Sequence, residues 1–471
     1  MKHVIPKSGL AARAVVARVV TARAVVVFAA AVVAVCAVAT LVACSPQKPS
    51  TYPTEVTDRG DTTATSVTPG SGADTTDAPN QTGDGTTAVP YVPVDVPDNV
   101  HDDLLAAQGF TDTALMRHVY NTVKGNASVS PFSLYIPLAM LGNAASDSIT
   151  DKYAYQLCYY NFDENSRNFG IAESNIYEKS QINRLTRSGD CVFTTANSLW
   201  ISERLKNVSG DFKKTLRDDF GAEVFVRDLP ASVGAVNKWA SEHTNGKISE
   251  ITNEIPSDTV AVVMNATYFK GKWRYEFDKA LTRKDTFHNA DGTTSETDFM
   301  ESSAELFGYM NEGGIQGVEL PYGGDGRFVM RLFTGDNLDA VNDYVARAGY
   351  IVNVSSEFTY HDDVTVIMPK FKVETTLNLL DTVGKIGFDF ILGEGKFDKI
   401  DKGARISNII QKVYVDVDEE GTEAAAVTTI TMSDAVGEPP VRIKFDKPFV
   451  YGIYDMEDNL PLFYGVYRQA G

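Results

Sequence analysis

The chain is 471 residues long, 43% hydrophobic and 10% aromatic, enough apolar material for one large core or two ordinary ones. Its 62 acidic against 43 basic side chains leave a net charge of −19, which excludes nucleic acid as a partner. No G-x-S-x-G elbow and no Gly-rich phosphate loop ahead of a helix occurs, and His3, His101, His118, His243, His288 and His361 lie in no metal-ligand spacing, so neither an enzyme nor a cofactor or metal is expected.

The first residues are not globular. Lys2, Lys7, Arg13, Arg18 and Arg23 precede an uncharged apolar run from Ala24 to Ala43, the pattern of a secretory signal over residues 1–43. The run ends Leu41-Val42-Ala43-Cys44, which resembles the bacterial lipobox and implies cleavage before Cys44 and lipidation of its thiol. The alternative is a retained transmembrane anchor, since about 20 apolar residues just span a bilayer. Both place the rest outside the cytoplasm at a cell membrane. Losing the five cations of the signal takes the net charge from −19 to −24.

Residues 44–99 are dominated by Thr, Ser, Asp, Gly and Pro without apolar periodicity and predict a disordered stalk. About 55 such residues reach roughly 40 Å as a random coil.

Residues 100–471 read as the folded domain. Phe110, Leu115, Val119 and Val123 predict an amphipathic helix, and Ser130-Pro131 a capped, buried one in which Pro137 should produce a kink. Cys158 falls in a helix over Tyr153–Tyr160 and Cys191 at the start of a strand; they form a disulfide or stand as two separately buried thiols. Lys179, Arg184 and Arg187 fit a solvated helix face. Thr195–Ile201 and Val262–Phe269 are apolar strands, the second leading to Gly271 and Trp273. Val413, Val415 and Val417 alternate as one face of a further strand.

Then comes Glu419-Glu420-Gly421-Thr422-Glu423-Ala424-Ala425-Ala426-Val427-Thr428-Thr429, small or β-branched beyond its glycine and free of proline until Pro439. Such a segment can sit outside a sheet yet be accepted between its strands, which bulky side chains or an interior proline would prevent.

This stretch resembles the reactive-loop hinge of the serpins, serine protease inhibitors whose loop inserts into a central sheet. Thr195–Ile201, Asn237-Lys238-Trp239, Thr244–Ile248, Val262–Trp273, Val318–Tyr322, Met368–Phe371, Leu380–Phe388, Phe445–Phe449 and Leu462–Gly465 match in serpin order, covering about residues 104–468. The resemblance implies an α+β fold of three sheets, roughly nine helices and a long loop between Asp418 and Val441. It places Trp273 at the breach, where the loop inserts, and Ser130, Ser133 and Asn265 in the shutter below it, with Ser133 a partner for Asn265. Gln411 stands where many serpins carry a shutter histidine.

The function so implied is a monomeric, extracellular inhibitor that traps its target as a suicide substrate; the alternative is a non-inhibitory serpin serving as a surface binding or adhesion module. Family spacing puts the scissile bond at Ala435-Val436, with Met432-Ser433 and Gly437-Glu438 as rivals. The small, uncharged Ala435 points to an elastase-like target.

Overall fold

The computed structural model describes residues 98–158, 170–186, 191–304, 307–348, 357–360, 363–422 and 440–471. The chain divides into two units, 1–72 and 73–471, and all described residues belong to the second. The signal, Cys44, stalk residues 45–97, Arg187 and the loop residues Glu423, Ala424, Ala425, Ala426, Met432, Ala435 and Val436 lie outside the described residues, while Asp98 and Asn99, expected to end the stalk, begin the first helix instead.

Three sheets and eight α-helices are present among the described residues. The helices are α1 (Asp98–Thr122), α2 (Pro131–Gly142), α3 (Asp147–Cys158), α4 (Ile171–Leu185), α5 (Gly210–Phe220), α6 (Val233–His243), α7 (Leu338–Ala348) and α8 (Leu380–Val383). Strands are numbered along the chain. A seven-stranded sheet runs β1 (Ala127–Val129), β17 (Leu460–Tyr467), β16 (Phe449–Asp455), β9 (Phe328–Gly335), β8 (Ile315–Pro321), β7 (Gly308–Glu312), β10 (Thr359–Tyr360). A four-stranded sheet runs β15 (Val441–Lys444), β11 (Val364–Pro369), β6 (Thr294–Ala304), β5 (Arg283–His288). The third, six-stranded sheet runs β12 (Phe371–Asn378), β13 (Asn408–Val417), β14 (Gly421–Thr422), β4 (Ala261–Lys272), β2 (Val192–Ser202), β3 (Glu223–Arg227).

The six-stranded sheet is covered on both faces, which is why its central strands read as continuous apolar runs. Ala261, Val263 and Phe269 of β4 enter the main core, while Val262, Met264 and Ala266 pack with Val236, Trp239 and Ala240 of α6 in a second cluster. The strand β13 divides the same way, Val413, Val415 and Val417 to the main core and Tyr414 to the α6 side.

Several local expectations need correction. Leu115 and Val119 of α1 are buried, but Phe110 is exposed and Met116 fills the core instead, because α1 packs along a face that also buries Gln108 and Asp112. Helix α2 runs through Pro137 to Gly142 with every residue buried. Arg184 does not lie on a solvated face: it is mostly buried and paired with Asp455, Asp458 and Glu457, whereas Lys179 pairs with Asp219. Cys191 is a buried thiol rather than half of a disulfide, and the side chain of Cys158 lies outside the described residues.

Candidate functional site

The site is the seam between β13 and β4. Along most of its length these strands pair directly and in parallel, Asn408 with Val262 through Tyr414 with Tyr268. At the upper end a short third strand separates them. Thr422 of β14 pairs antiparallel with Val417 of β13 on one side and with Gly271 of β4 on the other, and Gly421 pairs with Lys272. The first two residues beyond the turn are thus already seated between the strands.

The turn into β14 is written in its residues. The Asp418 carboxylate accepts from the backbone N–H of Glu420 at 2.9 Å and of Gly421 at 3.2 Å, an Asx turn that reverses the chain, and the Asp418 N–H donates to Gly421 O at 3.0 Å. Gly421 adopts φ 150°, and a Cβ there would lie 2.2 Å from the carbonyl oxygen of Gly271. Only glycine permits that approach.

Trp273 clamps the turn. Its indole N–H donates to Asp418 O at 2.9 Å and its backbone N–H to Glu420 O at 3.0 Å, while the Phe277 N–H reaches Glu419 O at 2.8 Å. The Trp273 ring stacks on Tyr322 at a centroid distance of 4.4 Å, and the Tyr322 hydroxyl lies 2.7 Å from that of Thr422, which is 1% exposed. Burial pushes the Tyr322 phenol upward, so it stays neutral and fit to hydrogen-bond. Glu419 forms an ion pair with Lys370 at 2.8 Å and accepts from the Thr282 hydroxyl at 2.8 Å; Glu420 pairs with Lys279. Burial opposes the charge of Glu419, but these donors outweigh it and hold its carboxyl below the usual range, whereas burial raises that of Asp418.

Halfway down the seam lies a buried polar cluster. Gln411 Oε1 accepts from the Ser130 N–H at 2.9 Å and Gln411 Nε2 donates to Ser130 O at 3.0 Å and to Asn265 Oδ1 at 3.1 Å. Asn265 Nδ2 donates to Asn197 Oδ1 at 2.9 Å and Thr195 Oγ1 at 3.1 Å, and the Thr267 hydroxyl donates to Asn265 Oδ1 at 3.0 Å. The Ser130 hydroxyl donates to Leu462 O at 2.6 Å and also caps α2 by accepting from the Ser133 N–H. Ser133 is not the partner of Asn265. Its buried hydroxyl has no hydrogen-bond partner among the described residues, and the Asn265 amide is already filled by Gln411, Asn197, Thr195 and Thr267.

Of the residues singled out in the sequence, Glu419, Glu420, Gly421, Thr422 and Trp273 therefore meet at the sheet opening, and Ser130, Asn265 and Gln411 meet below it. Tyr322, Asn197, Thr267, Lys370, Thr282 and Lys279 complete the two clusters. Tyr322 and Asn197 stood inside matched segments, but nothing local marks Lys279 or Thr282, which reach the hinge only through the tertiary fold. Among the described residues no group of three or more His, Cys, Asp or Glu side chains gathers as a metal site.

A family model described as serpin, serine protease inhibitor, matches residues 106–469. Human serpin B8 is 30% identical over 379 residues, 77% of this chain and 98% of its own. An uncharacterized serpin-like protein of Methanosarcina mazei is 32% identical over 296 residues, 59% of this chain and 67% of its own. The crystal structure of a thermophilic serpin, tengpin, in its native state superposes with a TM-score of 0.69 at 24% identity, covering 81% of this chain and 97% of that one.

Proposed function

The chain belongs to the serpin family, serine protease inhibitors, and on that premise we propose that it traps an extracellular serine protease as a suicide substrate. The observation that carries this reading is the seating of Gly421 and Thr422 between β13 and β4. A two-residue strand already registered on both neighbours is the start of a longer one, and its next residues, Glu423 through Ala426, include no bulky apolar side chain and no proline.

After attack on the loop, the acyl-enzyme leaves the upstream segment free to extend β14. Extension replaces the parallel β13–β4 pairing with two antiparallel ladders and converts exposed backbone into paired strand. The antiparallel register set by Thr422 opposite Gly271 carries Ala424 opposite Phe269, Ala426 opposite Thr267 and Thr428 opposite Asn265, all on the face of Thr422. Glu423, Ala425 and Val427 fall on the other face, beneath α6. The attached protease is carried with the strand, and displacement of its catalytic groups stops deacylation, because small misplacements cost orders of magnitude in rate.

The target is elastase-like on the strength of Ala435, and the inhibitor is monomeric and held on the outer face of the cell membrane through lipid on Cys44, with residues 44–99 as its stalk. Incubation of the full chain with a panel of serine proteases tests the function: a denaturation-resistant covalent complex on a gel supports inhibition, and cleaved chain without complex supports the non-inhibitory binding module. Labelling of growing cells with a clickable fatty acid tests the anchor; wild-type chain should take up label and Cys44→Ala should not.

A further inference from the structure

Away from the seam, α1 and α4 meet across two acids that no cation of the described residues balances. Gln108 and Asp112 lie one turn apart on α1, and Ser174 and Glu178 one turn apart on α4, so each pair occupies a single helix face. The two faces are turned toward each other. The Tyr177 hydroxyl of α4 donates to Gln108 Oε1 at 3.2 Å, and the Asp112 charge acts on Glu178. All four residues are at most 1% exposed. Among the described residues both carboxylate oxygens of Asp112, both of Glu178, the Ser174 hydroxyl and Gln108 Nε2 have no hydrogen-bond partner, and no basic side chain acts on either acid.

Buried polar atoms are almost always partnered, and a buried carboxylate without a counter-charge is especially costly. Six orphaned atoms at one helix contact therefore describe a place that something else occupies. Their chemistry says what. Five of the six are oxygens, four of them belong to two carboxylates that can bring two negative charges, and neither nitrogen nor sulfur is present as a ligand to favour zinc or copper. Ca²⁺ takes about six to eight oxygens in adaptable geometry, with carboxylates binding through one oxygen or both and water filling the remainder, whereas Mg²⁺ demands a near-ideal octahedron.

We propose that Asp112, Glu178 and Ser174 form a calcium site between α1 and α4, with Gln108 Nε2 donating to a coordinated water or carboxylate oxygen. The bound ion cancels both charges and ties the first helix of the domain to one that begins 49 residues after it ends. In cation-free buffer the two acids are neutral only by carrying protons. The site is independent of the inhibitor reading and does not involve the loop.

The test strips the full chain with a chelator, dialyses it, and follows its melting temperature near neutral pH as Ca²⁺ rises over about 0.01–10 mM, the span of extracellular calcium sites, with bound Ca²⁺ counted by equilibrium dialysis. The wild type should bind about one equivalent and melt several degrees higher, with a further rise for each increment of free ion beyond saturation. Asp112→Asn/Glu178→Gln, which keeps the side-chain shapes, should lose both the bound ion and the shift. Ser174→Ala should need about tenfold more Ca²⁺ for the same shift, and it decides the matter if the double variant does not fold. A wild type that neither binds nor responds overturns the site. So does a double variant that keeps the full shift, which assigns the effect to adventitious ions at surface acids, and so does Ser174→Ala with wild-type affinity. An equal shift with Mg²⁺ overturns the calcium assignment.

Discussion

Gln411 and Asn265 face each other in register across the seam between β13 and β4, joined by one hydrogen bond of 3.1 Å, and each is otherwise held on its own side. Gln411 is fixed to both backbone polar groups of Ser130, and Asn265 to Asn197, Thr195 and Thr267. Opening the seam breaks the single bond between them and leaves the two halves intact. Gln411→Ala should therefore do more than loosen the seam. It leaves the buried Ser130 N–H without its partner and takes one of two donors from the Ser130 C=O, which keeps the Leu134 N–H, a loss on the order of 1–3 kcal/mol, and lets the sheet open without protease. Chemical denaturation gives the first effect, and spontaneous loss of inhibitory activity on storage gives the second; a variant as stable and durable as wild type sinks this role.

An amide does not titrate, so the seam bond itself carries no pH dependence between about pH 5 and 8. Gln411→His should introduce one. Protonation of the imidazole removes its only acceptor, and the Ser130 N–H then faces a cation. The rate of activity loss for the histidine variant should rise as pH falls through about 6.5, while the wild-type rate changes less over that interval. Parallel pH profiles for the two proteins would refute the argument.

Thr422 is buried with its hydroxyl on Tyr322, so the hinge has no room for a cation. Thr422→Arg should convert inhibitor to substrate: an unpaired guanidinium at that position slows insertion until deacylation wins. The readout is the partition between complex and cleaved chain, and trapping at wild-type stoichiometry contradicts the assigned register.

The turn at Gly421 and the sheet were legible because their requirements are local. Alternation marks Val413, Val415 and Val417, and Gly421 after the acidic run marks the turn into β14. The contacts that hold the hinge were not legible. Lys279 lies 141 residues from Glu420 and Lys370 lies 49 from Glu419, and no periodicity encodes such pairs. Ser133 was misread for a related reason, since its presence beside Ser130 does not determine which way its hydroxyl points. Nor does an apolar spacing such as Phe110 to Val123 foretell that α1 turns Gln108 and Asp112 inward.

Asp112 of α1 and Glu178 of α4 are fully buried, and none of their four carboxylate oxygens has a hydrogen-bond partner among the described residues. Burial drives both groups well above their ordinary values of 3.8 and 4.5, and the Asp112 charge raises Glu178 further. Folded values above the unfolded ones mean that stability is fullest below about pH 4 and declines as pH rises through the folded range. Asp112→Asn removes one of these titrations. Its melting temperature relative to wild type should be unchanged or lower near pH 4 and should gain steadily toward pH 8. A difference that stays constant with pH argues that the two carboxyls have found a counter-charge in solution.

Family spacing puts the expected scissile bond at Ala435-Val436, and the register that seats Thr422 gives that expectation a length argument. Opposite Gly271, Thr422 sets an antiparallel count in which Met432 falls opposite Ala261, the first residue of β4. Residues up to Met432 can therefore be taken into the sheet, and an acyl bond must lie beyond them if the protease is to remain attached without being forced into the ladder. Cleavage after Ala435 leaves Ser433, Asp434 and Ala435 as a short tether below the sheet. Cleavage after Met432 leaves none, and cleavage after Gly437 lengthens the tether and gives the enzyme more freedom to recover its geometry. Mass spectrometry of the C-terminal fragment released on protease challenge should find a new N-terminus at Val436. A fragment beginning at Ser433 would favour a deeper, apolar specificity pocket and a ladder that ends above Ala261, and one beginning at Glu438 would show that the tether, not the ladder, sets the length.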